Sequence, residues 1–190
     1  MSVMENKRII LASQSPRRKE LLSLLRLKFE IIVADIDETI NHNNDLVKEI
    51  EKLSYLKAKK VFDDNTDALV IGADTIVKID NKVLGKPCSY EDARNMLKML
   101  SGRTHEVVTG ATIITNEKTE TFSSIAKVTF YELSEEEIDE YIKTNEPMDK
   151  AGAYAIQGDG AKLVTSIEGD FYTIVGLPIG EINQRLKKFL

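Results

Sequence analysis

The sequence predicts a domain of the α/β class, or of the related α+β class, with helices around a mixed sheet. Three observations support this: short apolar runs alternate with amphipathic segments, two long β-rich runs are separated by a polar turn, and capping signals precede several helices. The 190 residues, 42% of them hydrophobic and 30% charged, suit one substantial core or two small lobes that share a sheet. We expect a single domain over residues 1–190.

The first predicted elements are a strand, a turn and a helix. The apolar run 9–12 predicts a buried strand, and residues 19–25 continue with helical character. Ser15 suits the N-cap because its hydroxyl can accept an orphan backbone N–H group. Pro16 suits the first helical position, where a missing donor costs nothing.

This helix opens with Arg17 and Arg18, where acidic side chains are usual. Each exposed cation at a helix N-terminus is unfavourable by roughly 0.3–1 kcal/mol, and a bound anion would reverse that sign. Serine hydroxyls, free N–H groups and two guanidinium groups together predict a phosphate site. The alternative is an ordinary surface helix whose arginines pair with Glu20 and other nearby carboxylates.

Between residues 29 and 102, apolar runs alternate with amphipathic segments. Ser89 and Asp92 resemble an acidic capping box, and Gly102 suits the C-cap of the helix that they begin. The predicted elements are a strand at 29–33, a loop from Asp35 to Asp45, a helix at 46–62, strands at 68–72 and 76–79, a turn at 80–82 back to 83–84, and the helix after Ser89.

The last part of the chain predicts two hairpins and two helices. Ser134 and Glu137 form a clear capping box, and the helix that follows ends near Asn145, before Pro147. The predicted elements are a hairpin of 105–115 with 121–131, the helix after Ser134, a second hairpin of 163–167 with 171–175, and a final helix from Leu177 to Leu190.

Composition excludes several classes of function. The net charge of −5 disfavours a general nucleic-acid surface, so small phosphorylated ligands fit better than polymers. With two histidines and the single cysteine Cys88, a disulfide is excluded and any metal is expected on oxygen ligands. No apolar stretch approaches the ~20 residues of a membrane span, and Met1 to Arg8 lacks a signal-peptide core. We expect a cytoplasmic protein.

Three segments carry chemically useful residues, each with a structural alternative. Asp74 can hold a carboxylate at the lip of the sheet or serve as a strand-end turn residue, and Lys86 lies in a Gly-Lys-Pro turn of a common kind. The small-residue segment 146–160 can approach a ligand closely, or connect elements with Tyr154 packed inward and Gln157 solvated. Residues 158–162 lack the spacing of a phosphate-binding P-loop, which disfavours a P-loop NTPase.

Six motifs occur in order along nearly the whole chain. They are Leu-Ala-Ser-Gln-Ser-Pro-Arg-Arg at 11–18, Gly-Ala-Asp-Thr at 72–75, Leu-Gly-Lys-Pro at 84–87, Ser-Gly-Arg-Thr-His at 101–105, Asp-Lys-Ala-Gly-Ala-Tyr at 149–154 with Ile-Gln-Gly at 156–158, and Val-Gly-Leu-Pro at 175–178. Together they resemble the Maf family of nucleotide pyrophosphatases. Any one motif alone is weak, but their common order makes chance similarity very improbable.

The resemblance implies a mixed, curved central sheet flanked by helices, similar to inosine triphosphatases, with two lobes and a cleft between them. It also implies a homodimer and hydrolysis of a nucleoside triphosphate to the monophosphate and pyrophosphate, with a divalent cation. By motif position Asp74 resembles the family's proton acceptor, and Glu38 is a further acidic candidate. The residues that resemble its phosphate-binding set are Ser13, Ser15, Arg17, Arg18, Lys57 and Lys86.

Three positions resemble the branch of the family that acts on dTTP and UTP. They are Arg17, Thr75 and Gln157, where the branch acting on 7-methyl-GTP typically has tryptophan, glutamine and glutamate. A glutamine amide offers a donor and an acceptor, which match the O4 acceptor and N3–H donor of uracil or thymine. Modified pyrimidine nucleotides are alternative substrates.

Our mechanistic hypothesis is that Mg²⁺ or Mn²⁺ bridges the triphosphate to Asp74 and Glu38, while Asp74 orients or deprotonates the attacking water. Some assignments have alternatives. Lys59 or Lys60 could replace Lys57, and Asp37 could replace Glu38. Two other functions compete with this one: a nucleotide-binding regulator of cell division or septum formation, and a purine pyrophosphatase of the inosine-triphosphate type.

Overall fold

A computed structural model of the protein describes residues 7–40 and 45–189. It confirms a mixed α/β fold with an open seven-stranded sheet. The strands are β1 (Ile9–Leu11), β2 (Glu30–Ile31), β3 (Leu69–Ile79), β4 (Lys82–Leu84), β5 (Thr104–Ile114), β6 (Thr119–Phe130) and β7 (Val164–Glu168). The α-helices are α1 (Pro16–Ser23), α2 (Leu46–Asp63), α3 (Tyr90–Leu100), α4 (Glu135–Lys143), α5 (Phe171–Val175) and α6 (Ile179–Leu186). Short 3₁₀ segments span Glu146–Asp149, Ala151–Ala153 and Gly158–Leu163.

The sheet has the strand order β2-β1-β3-β5-β6-β7, with β4 paired to β3 outside this path. Strand β1 is parallel to both β2 and β3, with Ile10 opposite Glu30 on one side and Val70 on the other. The pairs β3–β4 and β6–β7 are antiparallel. This mixture of parallel and antiparallel pairs is the one that the alternating sequence pattern predicts.

The chain divides into two compact units. Unit 1 comprises Met1–Asp74, Thr109–Ser124 and Gly176–Leu190, and unit 2 comprises Thr75–Val108 and Ile125–Val175. Unit 1 contains a buried apolar cluster that joins β1, the C-terminal half of α2 and the start of β3. Its buried members are Ile10, Ala12, Ala58, Val61, Ala68, Val70 and Ile114.

Two glycines in unit 1 let α2 approach the sheet closely. A Cβ on Gly72 of β3 would lie 2.5 Å from the Ser54 carbonyl oxygen and 2.7 Å from the Ala58 nitrogen. A Cβ on Gly110 of β5 would lie 2.6 Å from the Ile50 carbonyl oxygen. Since real Cβ atoms do not approach that closely, glycine at both positions permits the contact between helix backbone and sheet backbone.

Side-chain hydrogen bonds also join α2 to strands β5 and β6. The Ser54 and Thr112 hydroxyls lie 2.9 Å apart, and Thr112 and Thr121 are also linked at 2.9 Å. The Ser123 hydroxyl donates to the Glu51 carboxylate at 2.8 Å. Because buried hydroxyls without partners are costly, these bonds favour one docking position for α2.

Unit 2 contains α3, α4 and the 3₁₀ segments. Three rings pack edge to face in its core, with His105 of β5 and Phe130 of β6 both against Tyr154. The buried His105 ring is joined through Nε2 to the Tyr154 hydroxyl at 2.8 Å. Glycine is favoured at position 152 for two reasons. A Cβ there would be in close contact with the Val77 side chain of β3, and the φ of +71° is a conformation that other residues rarely adopt. These contacts fix the small-residue segment within the unit.

The predicted second hairpin is half wrong. Residues 164–168 form β7 as expected, but Phe171–Val175 is the helix α5 rather than a strand. The Asp170 carboxylate accepts the Tyr172 N–H at 3.0 Å and the Thr173 hydroxyl at 3.1 Å. This side-chain cap outweighs the β preference of Phe-Tyr-Thr-Ile-Val.

The other predicted elements are confirmed with shifted ends. The strand predicted at 29–33 shortens to β2, and the two strands predicted at 68–72 and 76–79 form the single strand β3. Residues 35–40 of the predicted loop have no regular structure, whereas 41–44 lie outside the described residues, as do 1–6 and Leu190. Within the described ranges, no helix has the length and apolar character of a membrane span.

Candidate active site

The strand-to-helix turn has the predicted geometry. Ser15 has an extended backbone, and its side chain accepts the Arg18 N–H at the start of α1. Pro16 occupies the first turn, and no acidic residue lies in that turn. The N-terminus of α1 therefore presents its positive dipole end without an acidic side chain of its own to compensate it.

Arg18 is anchored by two other parts of unit 1. Its Nε donates to the Gly176 carbonyl at 2.8 Å, and its Nη1 donates to the buried Ser13 hydroxyl at 3.4 Å. Burial lowers the pKa of Arg18, and Arg17 lowers it further, whereas the charges of Asp74 and Glu38 raise it. The only sequence signal for this role of Gly176 is its place in the Val-Gly-Leu-Pro motif.

Arg17 lies half-buried beside Arg18. Its Nε is buried and has no hydrogen-bond partner among the described residues. A buried donor of a charged group normally has a partner, and an anionic oxygen would satisfy this one. The observation favours an anion site over the surface-helix alternative.

Asp74 and Glu38 meet at one ammonium group. The Lys57 Nζ lies 2.5 Å from the Asp74 Oδ1 and 2.9 Å from the Glu38 Oε1. The Lys57 and Asp74 side chains are 9% and 14% exposed, so most of this ion pair is shielded from water, while Glu38 remains 58% exposed. The structure thus brings both predicted acidic residues to the predicted lysine.

The position of Asp74 differs from the strand-end position that the sequence predicts. It lies in the middle of β3, which continues for five residues beyond it, through Ile79. A carboxylate in a strand interior needs a partner when it is half-buried, and Lys57 of α2 supplies one. The polar residues Asp74 and Thr75 therefore do not interrupt the strand.

The glycine contact of α2 explains why Lys57 reaches Asp74. Gly72 and Asp74 are two residues apart in β3 and share a face of the strand. Lys57 lies between Ser54 and Ala58, the two residues of α2 that contact Gly72. Of the three lysines, Lys57 is the one that contacts Asp74, whereas Lys59 pairs with Asp63 and Lys60 is exposed.

Asp37 and Glu38 make different contacts. The Asp37 carboxylate accepts the N–H and the hydroxyl of Thr39, at 2.9 Å and 2.5 Å. These bonds lower the pKa of Asp37. Asp37 therefore closes a local turn, whereas Glu38 contacts Lys57.

The remaining predicted residues belong to unit 2. Thr75 follows Asp74 in β3, Lys86 is exposed just after β4, and Gln157 is exposed just before the last 3₁₀ segment. Within this unit, the Gly152 N–H donates to the Gly85 carbonyl at 3.0 Å. That bond ties the segment that bears Lys86 to the small-residue segment that leads to Gln157.

The donor set near Lys57 is compatible with a divalent cation shared with a substrate. Asp74 and Glu38 contact the same Nζ, so their oxygens are close together. The described part of the chain has no group of three or more acidic, histidine or cysteine residues able to hold a metal by themselves. Two carboxylates suit Mg²⁺, which usually binds one or two of them together with waters and substrate phosphates.

Comparison with known proteins identifies the family. A family model described as Maf-like protein matches residues 8–189. The chain belongs to the Maf family. This confirms the family that the six motifs predicted.

Curated Maf-family relatives resemble the chain over almost its full length. The dTTP/UTP pyrophosphatase of Bacillus velezensis is 52% identical over 183 residues, which cover 96% of this chain and 97% of that protein. Proteins of the same name from two strains of Bacillus cereus are 51% and 50% identical over 183 residues, covering 96% of both chains. A solved structure, protein VC0702 from Vibrio cholerae, has 10% identity and a TM-score of 0.36 over 72% of this chain and 70% of that one, too low to carry an argument.

Proposed function

We propose that this Maf protein hydrolyses dTTP and UTP to the monophosphate and pyrophosphate. The observation that carries the proposal is the 50–52% identity, over 96% of the chain, to proteins named dTTP/UTP pyrophosphatase. The site supports it, because Arg17, Arg18 and Lys57 place cations around two carboxylates in unit 1. Such a set suits a polyanionic substrate whose hydrolysis needs a positioned water.

The phosphate chain would bind at the N-terminus of α1. The unpartnered Nε of Arg17 would donate to a phosphate oxygen, and Arg18 would add charge from the position fixed by Gly176. Ser13 and Ser15 would supply hydroxyls at the same turn. Helix N-termini bind phosphate by their free N–H groups and their dipole, and Arg adds charge-assisted hydrogen bonds. Lys86 is a further phosphate ligand in the proposal.

Asp74 would orient or deprotonate the water that attacks the α-phosphorus. A bond forms between the water oxygen and that phosphorus, and the bond to the oxygen that bridges the α- and β-phosphorus atoms breaks, so pyrophosphate leaves with the electron pair. Lys57, Arg17 and Arg18 would meet the charge that develops on the leaving group. When bound, Mg²⁺ or Mn²⁺ would be held by Asp74 and Glu38 and would act as a Lewis acid toward the phosphate oxygens.

Base selectivity is assigned to Arg17, Thr75 and Gln157. Gln157 is exposed, and its side chain makes no capping bond in the 3₁₀ segment that follows it, so its amide is available to a ligand. The amide can donate to O4 and accept from N3–H of uracil or thymine. Cytosine presents the opposite pattern at these two atoms and should be a poorer substrate.

A substrate panel tests the reaction. The purified protein would be incubated with Mg²⁺ or Mn²⁺ and dTTP, UTP, CTP, ITP or 7-methyl-GTP, and the products separated by ion-exchange chromatography. We expect monophosphate and pyrophosphate from dTTP and UTP. In ¹⁸O-labelled water the label should enter the monophosphate, because attack is at the α-phosphorus. Label found only in pyrophosphate, or no turnover of either pyrimidine nucleotide, would contradict the proposal.

Asp74→Asn tests the catalytic assignment. We expect kcat for dTTP to fall by at least about 100-fold, since the amide can neither take a proton nor hold a cation as well. Asp67→Asn is the matched control, because Asp67 is an exposed aspartate that pairs with Arg8 at the surface of unit 1. It should retain activity within about twofold. Near-normal turnover by Asp74→Asn would remove Asp74 from the mechanism.

A homodimer, a cytoplasmic location and the absence of a nucleic-acid polymer as partner remain part of the proposal. The family resemblance supports the homodimer, and the net charge of −5 disfavours a nucleic-acid polymer as partner. Sedimentation equilibrium would test the dimer, with a mass of twice 21.4 kDa as the expected result.

A further inference from the structure

The backbone around Gln157 closes into a tight loop within unit 2. We define the selectivity loop as residues 155–160. Gly158 has a φ of +77°, and a Cβ on Gly160 would collide with the Ala155 carbonyl oxygen and would lie 2.7 Å from the Tyr141 hydroxyl oxygen. The two ends of the loop therefore approach each other, and Gln157 lies at the exposed turn between them.

Tyr141 of α4 binds the first end of this loop. Its side chain is buried, with 5% of the residue exposed, and its hydroxyl oxygen accepts the Ala155 N–H at 3.0 Å. A backbone N–H buried without a partner is costly, so this bond constrains where Ala155 can lie. Ala155 is two residues from Gln157.

Glu146, in the 3₁₀ segment after α4, binds the other end. One carboxylate oxygen accepts the Asp159 N–H at 3.2 Å, and the second accepts the Gly160 N–H at 2.8 Å. A Cβ on Gly158 would collide with the first of these oxygens, so the carboxylate also lies directly against the loop. Burial raises the pKa of Tyr141, and Glu146 raises it further.

We propose that Tyr141 and Glu146 are positioning residues for base selectivity, which hold the backbone on both sides of Gln157 so that its amide meets the pyrimidine edge. The inference rests on the proposed function. It goes beyond the three selectivity positions, because neither side chain needs to touch the substrate. A site built to hydrogen-bond one base discriminates only while its amide is fixed, since a freely placed amide can adapt to another edge.

Glu146→Gln and Tyr141→Phe test the proposal. The glutamine keeps one acceptor oxygen but places an NH₂ group against the second backbone N–H, and the phenylalanine keeps the ring but loses the acceptor. The readout is the ratio of kcat/KM for UTP to that for CTP, two substrates with the same ribose and triphosphate. We expect this ratio to fall by at least about tenfold in both variants. Glu140→Gln, an exposed glutamate of α4, is the charge-matched control and should keep the wild-type ratio.

A double-mutant comparison separates positioning from general damage. Gln157→Ala should lose the same discrimination, and adding Glu146→Gln to it should leave the UTP-to-CTP ratio unchanged. An unchanged ratio in single variants that still fold, or equal losses of kcat/KM for both nucleotides, would overturn the inference. If Glu146→Gln fails to fold, the ratio of Tyr141→Phe decides. Absence of pyrophosphate release by the wild-type protein would contradict the proposed function instead.

Discussion

At the residue scale, the single ammonium group of Lys57 forms ion pairs with two carboxylates. Its Nζ contacts both Asp74 and Glu38, and only 9% of its side chain is exposed. Removing one partner of a shielded ion pair leaves the other charge unpaired, which costs more than the pair itself contributes. Lys57 is therefore expected to fix the Asp74 carboxylate and to supply positive charge to the substrate.

Lys57→Met removes the ammonium but keeps a long apolar side chain. We expect kcat/KM for dTTP to fall by at least about 100-fold, because the variant loses both a charge near the phosphates and the partner of Asp74. Lys60→Met is the control on the same helix, because Lys60 is exposed. The kinetics should be read beside a thermal unfolding curve. Activity of folded Lys57→Met equal to that of Lys60→Met would exclude the role of Lys57.

At the element scale, the docking of α2 onto β3 sets the position of the site. In Gly72→Ala the new methyl carbon would lie 2.5 Å from the Ser54 carbonyl oxygen and 2.7 Å from the Ala58 backbone nitrogen, which is too close for either contact. Backbone atoms cannot rotate away as a side chain can, so α2 has to shift. We expect a loss of about 1–3 kcal/mol in the free energy of unfolding. Hydrolysis of dTTP to the monophosphate and pyrophosphate should slow as well, because Lys57 moves with the helix.

Gly180→Ala is the matched control for this change. Gly180 lies in α6 of the same unit, and a Cβ there would meet nothing within 4 Å. Alanine in a helix should be neutral or stabilising by up to about 1 kcal/mol relative to glycine. Urea denaturation measures both variants. Equal stability of Gly72→Ala and Gly180→Ala would show that the helix can dock without the glycine.

Elements with a local cause could be predicted from the sequence, and elements with a distant cause could not. The caps at Ser15, Ser89 and Ser134 form as expected, because each bond joins residues three positions apart. The continuity of β3 through Asp74 depends on Lys57, which lies 17 positions away in sequence. The helix α5 is an exception, because its cap at Asp170 is local but Glu-Gly-Asp at 168–170 also suits a hairpin turn.

The same distinction holds for the site. The motifs identify Asp74, Arg17 and Arg18 by type and order, and the electropositive start of α1 was visible from the arginines themselves. The anchoring of Arg18 by Gly176 joins residues 158 positions apart, which no local pattern encodes. The selection of Lys57 over its neighbouring lysines depends on which face of α2 packs against Gly72.

At the scale of the whole molecule, the stability of the protein depends on pH through His105, which lies in the core of unit 2. His105 is 2% exposed, its ring lies against Phe130 and Tyr154, and burial lowers its pKa to about 4. Its Nδ1 has no hydrogen-bond partner among the described residues. A charged imidazolium there would lack any described carboxylate partner, so the folded protein keeps His105 neutral.

The lower pKa of His105 in the folded chain than in the unfolded chain makes the free energy of unfolding depend on pH. Below pH about 6.5 the unfolded chain protonates His105 and the folded chain does not, so stability is fully present above that pH and is lost as the pH falls toward 4. Glu120, whose pKa is lowered to about 2 chiefly by the hydrogen bond from Lys118, loses its contribution only at lower pH. The two contributions therefore separate along the pH axis.

His105→Gln should remove the loss of stability that protonation of His105 causes as the pH falls. Between pH 7.5 and pH 5 the His105 contribution to the free energy of unfolding should fall by about 2 kcal/mol in the wild-type protein. Glutamine cannot titrate, so the variant, although less stable at pH 7.5, should lose that much less over the same interval. Urea denaturation followed by circular dichroism at both pH values measures the difference. Parallel losses in the two proteins would mean that His105 is protonated as readily in the folded chain as in the unfolded one.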